Sequence, residues 1–189
     1  MTITRDEAWR LLTEYVASEG LHKHSLAVEA AMRAYARKYG EDEELWGIAG
    51  LLHDFDYEKY PHPDPAAKTG HPFEGVRVLR ERGYPEEIIQ AILGHAVYSG
   101  VPRHTTIAKC LFAVDELCGF LTAIAYVRPE HLNGLTPEKV EEYLKKKRFA
   151  EKVNREEIRE GMAGLGIPAE EHIRTVIEAM QGAAGTLGF

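Results

Sequence analysis

An imidazole and a carboxylate stand side by side at His53-Asp54, where the apolar run from Leu45 to Leu52 stops. Both are metal ligands of hard or borderline character. Neighbours on a helix point about 100° apart, so the pair can serve one ion only where the helix ends and the backbone turns. Four further residues carry the same chemistry. His24 lies near the start of an earlier helical segment, and His71 precedes a proline that opens another. His95 closes the next segment, and Asp115 sits inside an apolar one. Asp115 weighs most. Leu111-Phe112-Ala113-Val114 and Leu117-Cys118-Gly119-Phe120-Leu121 surround it, so it should be buried, and a buried carboxylate is costly unless paired, protonated or coordinated. Each residue alone has a plainer explanation: a salt bridge for Asp115, a helix-dipole contact for His95, a capping accident for His53-Asp54. Together they point to a buried metal centre. His22, His62, His131 and His172 have no comparable context and read as surface residues. His104 stands with Arg103 at the mouth of the Asp115 segment.

The elements that must hold these residues are helices; no convincing period-two alternation occurs. The pattern predicts a first helix over Asp6 to Ser18 and a second from about His24 to Tyr39, closed by Gly40. Asp42 caps a third that ends at His53-Asp54. Pro61, Pro63 and Pro65 break the stretch from Phe55 to Gly70 into a loop. Pro72, as first helical residue, opens a fourth helix ending at Gly83. A fifth runs through Ile88 and Ile92 to His95, and a long apolar helix covers Thr105 to Ala125. Beyond Pro129, Thr136 caps a charged helix over Pro137 to Lys147. Another starts near Asn154, the last spans Pro168 to Gln181, and Gly182 to Phe189 is expected to fray. The fold class is therefore all-α. The 189 residues read as one helical domain, with a metal-binding core over about 20–126 and a helical extension over about 130–183. Some 60 residues alone make a marginal core, so the extension should pack on the same body.

Composition narrows the function. At 44% hydrophobic and 28% charged residues the chain has an ordinary globular makeup. A formal net charge of -7 argues against a nucleic-acid polymer as partner, which usually leaves a basic footprint. No run of about eighteen apolar residues predicts a membrane span. The start, Met1-Thr2-Ile3-Thr4-Arg5, lacks the apolar region of a signal peptide, and a cytoplasmic location is expected. Cys110 and Cys118 suit a reducing compartment. Eight positions apart on one helix, their Cα atoms would lie about 12 Å apart, too far for a disulfide.

The ordered set His24, His53-Asp54 and Asp115 resembles the signature of the HD superfamily of metal-dependent phosphohydrolases. The flanking strings agree: Lys23-His24-Ser25, Leu51-Leu52-His53-Asp54, His71-Pro72-Phe73-Glu74-Gly75 and Ala113-Val114-Asp115. Further on, Asp115-Glu116-Leu117-Cys118-Gly119 and Asn154-Arg155-Glu156-Glu157 resemble an uncharacterised bacterial branch of predicted HD hydrolases. The resemblance implies an HD-domain helical bundle in which His24, His53, Asp54 and Asp115 hold one divalent cation. His71 and His95 resemble the extra pair of the six-ligand variants, which include HD-GYP phosphodiesterases, diadenosine tetraphosphate hydrolases and mixed-valent di-iron oxygenases. There Asp54 would bridge two metals. Gly83-Tyr84-Pro85 lacks the surrounding HD-GYP pattern and reads as a turn. HD 5′-nucleotidases carry an acid three positions after the motif aspartate; here Tyr57 stands there, flanked by Asp56 and Glu58.

Imidazole nitrogen and carboxylate oxygen without thiolate suit one or two ions of Mn, Fe, Co, Ni or Zn. Such ions would activate water near neutral pH and neutralise charge on a phosphoryl group. The expected function is hydrolysis of a nucleotide or small phosphate ester. A di-iron oxygenase and a non-catalytic nucleotide-sensing module are the alternatives. Asp54, Asp56 and Glu58 are the expected catalytic carboxylates, and Asp56, Glu58 and His104 the candidate general acids. Lys68, Arg103 and His104 are the expected substrate-binding groups. Lys145-Lys146-Lys147-Arg148 reads as a solvated helix face. The partner is a small phosphorylated molecule, with no membrane and no nucleic-acid polymer; homo-oligomerisation is left open.

Overall fold

A computed structural model describes residues 3–189. Ten α-helices and one 3₁₀ turn make up the described fold, and no β-strand occurs among these residues. Helix α1 covers Arg5–Tyr15, α2 Glu19–Tyr39 and α3 Glu43–Leu52. Helix α4 covers Phe73–Glu81 and α5 Glu86–His95; the 3₁₀ turn is Val97–Ser99. Helix α6 spans Thr106–Val127. Then follow α7 (Pro137–Leu144), α8 (Arg155–Leu165), α9 (Ala169–Gly182) and α10 (Ala184–Leu187).

Six of the ten α-helices start at a side-chain cap. Thr4, Ser18, Asp42, Thr105, Thr136 and Asn154 each accept a backbone N–H of the first turn, satisfying donors that a helix leaves orphaned. The Ser18 cap explains why α2 begins five residues before the expected His24, with Gly20 inside its first turn. His24 thereby sits in the second turn, not at the helix start. Pro72 occupies the cap position before α4, after a cis His71–Pro72 bond, and the helix proper starts at Phe73.

Helices α2 and α6 form the centre. Helix α2 packs on α3, α6 and α9, while α6 packs on α5 and α8 as well. Helix α6 buries Ile107, Leu111, Val114, Leu117, Phe120, Leu121 and Ile124. By length and composition alone it could cross a membrane, but 61% of its apolar window is buried within the protein. Cys110 and Cys118 are free and buried on it. Ile158, Ile173, Val176 and Met180 of α8 and α9 join the same core cluster. The C-terminus also differs from expectation. It forms α10, and Leu187 is buried because its apolar side chain packs into that cluster.

One close approach places a wall of the later site. A Cβ at Gly161 of α8 would lie 2.6 Å from the Ala113 Cα of α6. Only glycine lets the two backbones meet there.

Candidate metal centre

Five parts of the chain converge on one spot. Helix α2 brings His24, and the turn after α3 brings His53 and Asp54. The segment before α4 brings His71 and the end of α5 brings His95. Helix α6 brings Asp115. Helix α3 ends at Leu52, and the turns that follow let His53 and Asp54 face the same point.

The six residues form two trios. In the first, the His24 and His53 Nε2 atoms are 3.2 Å apart, and Asp115 Oδ1 lies 3.0 Å from His24 and 3.3 Å from His53. In the second, the His71 and His95 Nε2 atoms are 3.2 Å apart, and Asp54 Oδ1 lies 3.2 Å and 3.3 Å from them. The other Asp54 oxygen, Oδ2, faces the first trio, 3.4 Å from His53 and 3.8 Å from His24. One carboxylate thus reaches both trios, one oxygen each. Each trio could hold a metal ion.

The donor chemistry fits a cation. His53 Nδ1 faces the Gly50 carbonyl at 2.8 Å, and His95 Nδ1 faces the Ile92 carbonyl. A carbonyl only accepts, so these Nδ1 atoms carry the protons and donate. His71 Nδ1 faces Asp56 Oδ1 at 2.6 Å. In the neutral rings, Nε2 then carries a bare lone pair, and two such lone pairs 3.2 Å apart repel unless a proton or metal ion lies between. Charge agrees. Burial works against charge on His53, but Asp54 and Asp115 outweigh it and hold its pKa well above the usual imidazole value. Burial likewise works against charge on the two carboxylates. His53, with the other facing imidazoles, outweighs it and keeps both far below the usual carboxylate range. The pocket is built to keep its carboxylates ionised around positive charge.

Above the trios opens a cavity of about 300 Å³. His24, Asp54, His71, His95 and Asp115 form its floor; Tyr57, Ala96, Val97, Tyr98, Glu116, Gly119 and Glu157 complete its lining. Tyr57 packs edge-on to the His71 ring, with centroids 5.3 Å apart, and the Tyr98 hydroxyl donates to the His71 carbonyl at 3.1 Å. Asn154 orients two acids. Its backbone N–H donates to Glu116 Oε2 at 2.9 Å, and its side-chain amide donates to Glu157 Oε1 at 2.6 Å. Burial is the first cause that raises the pKa of both above the usual carboxylate value, with the Asp115 charge adding to it.

Several residues expected at the site stand elsewhere. Asp56 lies beneath His71, fully buried, and its second oxygen accepts the Gly75 N–H of α4 at 2.7 Å. The turn that aims Asp54 at the cavity aims Asp56 inward, and a Cβ at Gly75 would collide with it at 2.7 Å. Asp56 therefore orients the His71 imidazole and does not reach the cavity. Glu58 is exposed and accepts the Ala17 and Ser18 N–H groups at 3.2 Å and 3.0 Å, tying down the α1–α2 turn. Lys68 lines a separate cleft with Arg77 and Arg80. Arg103 donates to the Gly94 carbonyl, pairs with Glu160 and stacks over Phe112. His104 is exposed and outside the cavity lining. Arg155 donates to carbonyls of Leu144, Lys146, Phe149, Ala150 and Val153, so it does not fold over the site. Tyr98, Glu116 and Glu157 were not singled out by residue type. The signal for Glu116 and Glu157 lies in the two strings around Asp115 and Asn154, whereas Tyr98 has none along the chain.

His172, expected on the surface, is fully buried behind α6. Its Nε2–H donates to the Ala113 carbonyl at 3.1 Å, and Nδ1 accepts from the Tyr35 hydroxyl at 2.5 Å. His131 is half-buried, with Nδ1 3.1 Å from the Ala125 carbonyl, and His22 is half-buried against the Val16 carbonyl at 2.9 Å.

An all-α bundle with this ligand order defines a class, and comparison with known proteins agrees. The HD domain family profile matches residues 21–118, just over half of the chain. The chain belongs to the HD domain family, whose superfamily is that of metal-dependent phosphohydrolases. Among curated proteins it is similar to Ribonuclease Y of Lactobacillus gasseri, 28% identical over 155 residues, which cover 82% of this chain and 25% of that protein. It is also similar to Ribonuclease Y of Lactobacillus acidophilus, 29% identical over 130 residues, covering 69% of this chain and 21% of that protein. The chain spans about a quarter of the length of these relatives or less. No solved structure matches it.

Proposed function

We propose that this chain is a metal-dependent hydrolase of a small phosphate ester or nucleotide, with His24, His53 and Asp115 holding one divalent ion, His71 and His95 a second, and Asp54 joining them. The observation that carries this reading is the double trio sharing the two Asp54 oxygens at the floor of an open cavity. Divalent Mn, Fe, Co, Ni or Zn ions bound there would supply Lewis acidity and make hydroxide available near neutral pH. The chain's own residues do the rest. Four imidazoles and two carboxylates give two negative charges, so two divalent ions leave the floor positive and able to receive a phosphoryl group. The Asp56 carboxylate and the Gly50 and Ile92 carbonyls fix the ring orientations, as outer partners of ligand histidines commonly do. Tyr57, Val97 and Tyr98 confine the substrate above them.

A small substrate also suits the charge of -7 and a cavity at the small end of ligand pockets. The name of the Lactobacillus relatives implies action on RNA; this chain shares only part of their length, and its cavity lining contains no lysine or arginine. We place it in the cytoplasm, acting without a membrane or nucleic-acid partner.

The test is phosphate or nucleotide release across a broad ester panel, using purified protein loaded in turn with Mn, Co, Ni and Fe. Turnover with at least one metal, abolished by Asp54→Ala, is expected. Silence across the panel from metal-loaded protein overturns the reading. Oxygen consumption in the iron-loaded form alone would replace it with the di-iron oxygenase alternative.

A further inference from the structure

The walls of the cavity carry the wrong charge for a polyanion. No lysine or arginine lines it, whereas Glu116 and Glu157 do. Arg103, Arg155 and Lys23, the neighbour of His24, are spent elsewhere: Arg103 on Gly94, Glu160 and Phe112, Arg155 on five carbonyls, and Lys23 on Glu19. A phosphoryl group on the floor could be met by the ions, but a second phosphate would lie against two carboxylates. Like charges at that range repel in a partly desolvated pocket.

The same walls suit a cation. Asn154 occupies one oxygen of Glu116 and one of Glu157, which leaves the second oxygen of each for a ligand. Tyr57 and Tyr98, 45% and 42% exposed, line the same cavity, Tyr57 against the His71 ring and Tyr98 bonded to the His71 carbonyl. Exposed aromatic rings beside carboxylates are the chemistry that recognises an ammonium group, through the ring quadrupole as well as charge. Val97, 49% exposed, adds an apolar surface for the carbons between phosphate and nitrogen.

We propose that the substrate is a small phosphate monoester whose other end bears an ammonium group, an aminoalkyl phosphate, and that Glu116 and Glu157 determine this specificity. The inference rests on the phosphohydrolase reading. Water adds its oxygen to phosphorus, the ester P–O bond breaks, and the amino alcohol leaves with a proton as inorganic phosphate forms.

The experiment compares 3-aminopropyl phosphate, propyl phosphate and AMP with the metal-loaded full chain. The kcat/KM for 3-aminopropyl phosphate should exceed that for propyl phosphate by about tenfold or more, the scale of one cation–π contact plus one charge pair. Glu157→Gln and Glu116→Gln keep the acceptor oxygen that Asn154 uses, and each should bring this ratio down toward one. If propyl phosphate or AMP is hydrolysed as well as the aminoalkyl ester, or if both glutamine variants keep the wild-type ratio, the specificity inference falls and the phosphohydrolase reading stands. If metal-loaded protein releases phosphate from no ester, charged or neutral, the phosphohydrolase reading falls and takes this inference with it.

Discussion

His53 and His172 are both fully buried, and their surroundings drive them in opposite directions. Around His53, burial is outweighed by Asp54 and Asp115, and the ring favours positive charge. Among the described residues, the hydrogen-bond partners of His172 are the Tyr35 hydroxyl and the Ala113 carbonyl, neither of them charged. Burial comes first and holds its pKa down to about 4, against a smaller opposing effect of the Ala113 carbonyl. His172 places both nitrogens in hydrogen bonds with neutral partners, so it is a satisfied core residue. His53 satisfies only Nδ1 that way and turns Nε2 toward another imidazole and two carboxylate oxygens. Burial therefore does not distinguish a candidate ligand histidine; convergence of its free nitrogen with carboxylates does.

The contrast can be broken most decisively at Asp54. Asp54→Ala should lose both metal ions and turnover together, whereas His172→Gln should keep its metal; elemental analysis of the purified variants decides. Retention of metal by Asp54→Ala would overturn the idea that one carboxylate serves both trios. The two histidines should also separate in acid. The fold holds His172 neutral with a pKa of about 4, against 6.5 for the unfolded ring. As pH falls, the unfolded chain takes up this proton first. The stabilisation is therefore complete above about pH 6.5 and declines to a loss of about 3 kcal/mol by pH 4. Urea unfolding from pH 7.5 to 4.5 should show His172→Gln lacking this share of the decline. Equal slopes in the two proteins would mean that His172 is not held neutral.

A smaller effect sharpens the comparison between the two trios. The second depends on Asp56 to orient His71, and the first has no contact with it. Asp56→Asn should weaken one metal by about 10–100-fold and leave the other, a difference that calorimetric titration of the metal-free protein resolves. Equal weakening of both would show that the sites are not separable. The smallest effect concerns α8, whose seat on α6 positions Glu157. Gly161→Ala inserts a methyl group 2.6 Å from the Ala113 Cα and should cost about 1–3 kcal/mol of stability, as overpacking does. A thermal midpoint equal to wild type would show that α8 shifts freely.

Much of this was legible along the chain. The caps Asp42 and Thr136 were readable because capping is a short-range contact between a side chain and the next few N–H groups. The six residues of the two trios were readable because carboxylates and imidazoles in apolar settings need a reason to be there. Asp56 and Glu58 show the limit. They sit two and four positions after Asp54, and sequence distance alone does not reveal that one turns inward under His71 and the other outward onto the α1–α2 turn. Lys68 and Arg103 were drawn to the site by charge, but their directions depend on Glu160, Phe112 and a separate cleft.

The difference lies in the range of the interactions. The helices, their caps and the ligand types follow from local periodicity and from the cost of burying charge, both written in neighbouring residues. The sharing of Asp54 between two trios, the burial of His172 and the acidic, aromatic wall of the cavity depend on contacts between segments far apart in the chain. Glu116 and Asn154 are 38 positions apart, and Tyr35 and His172 are 137 apart. Such pairs form only when α2, α6, α8 and α9 pack, so the direction of each side chain is set by that packing.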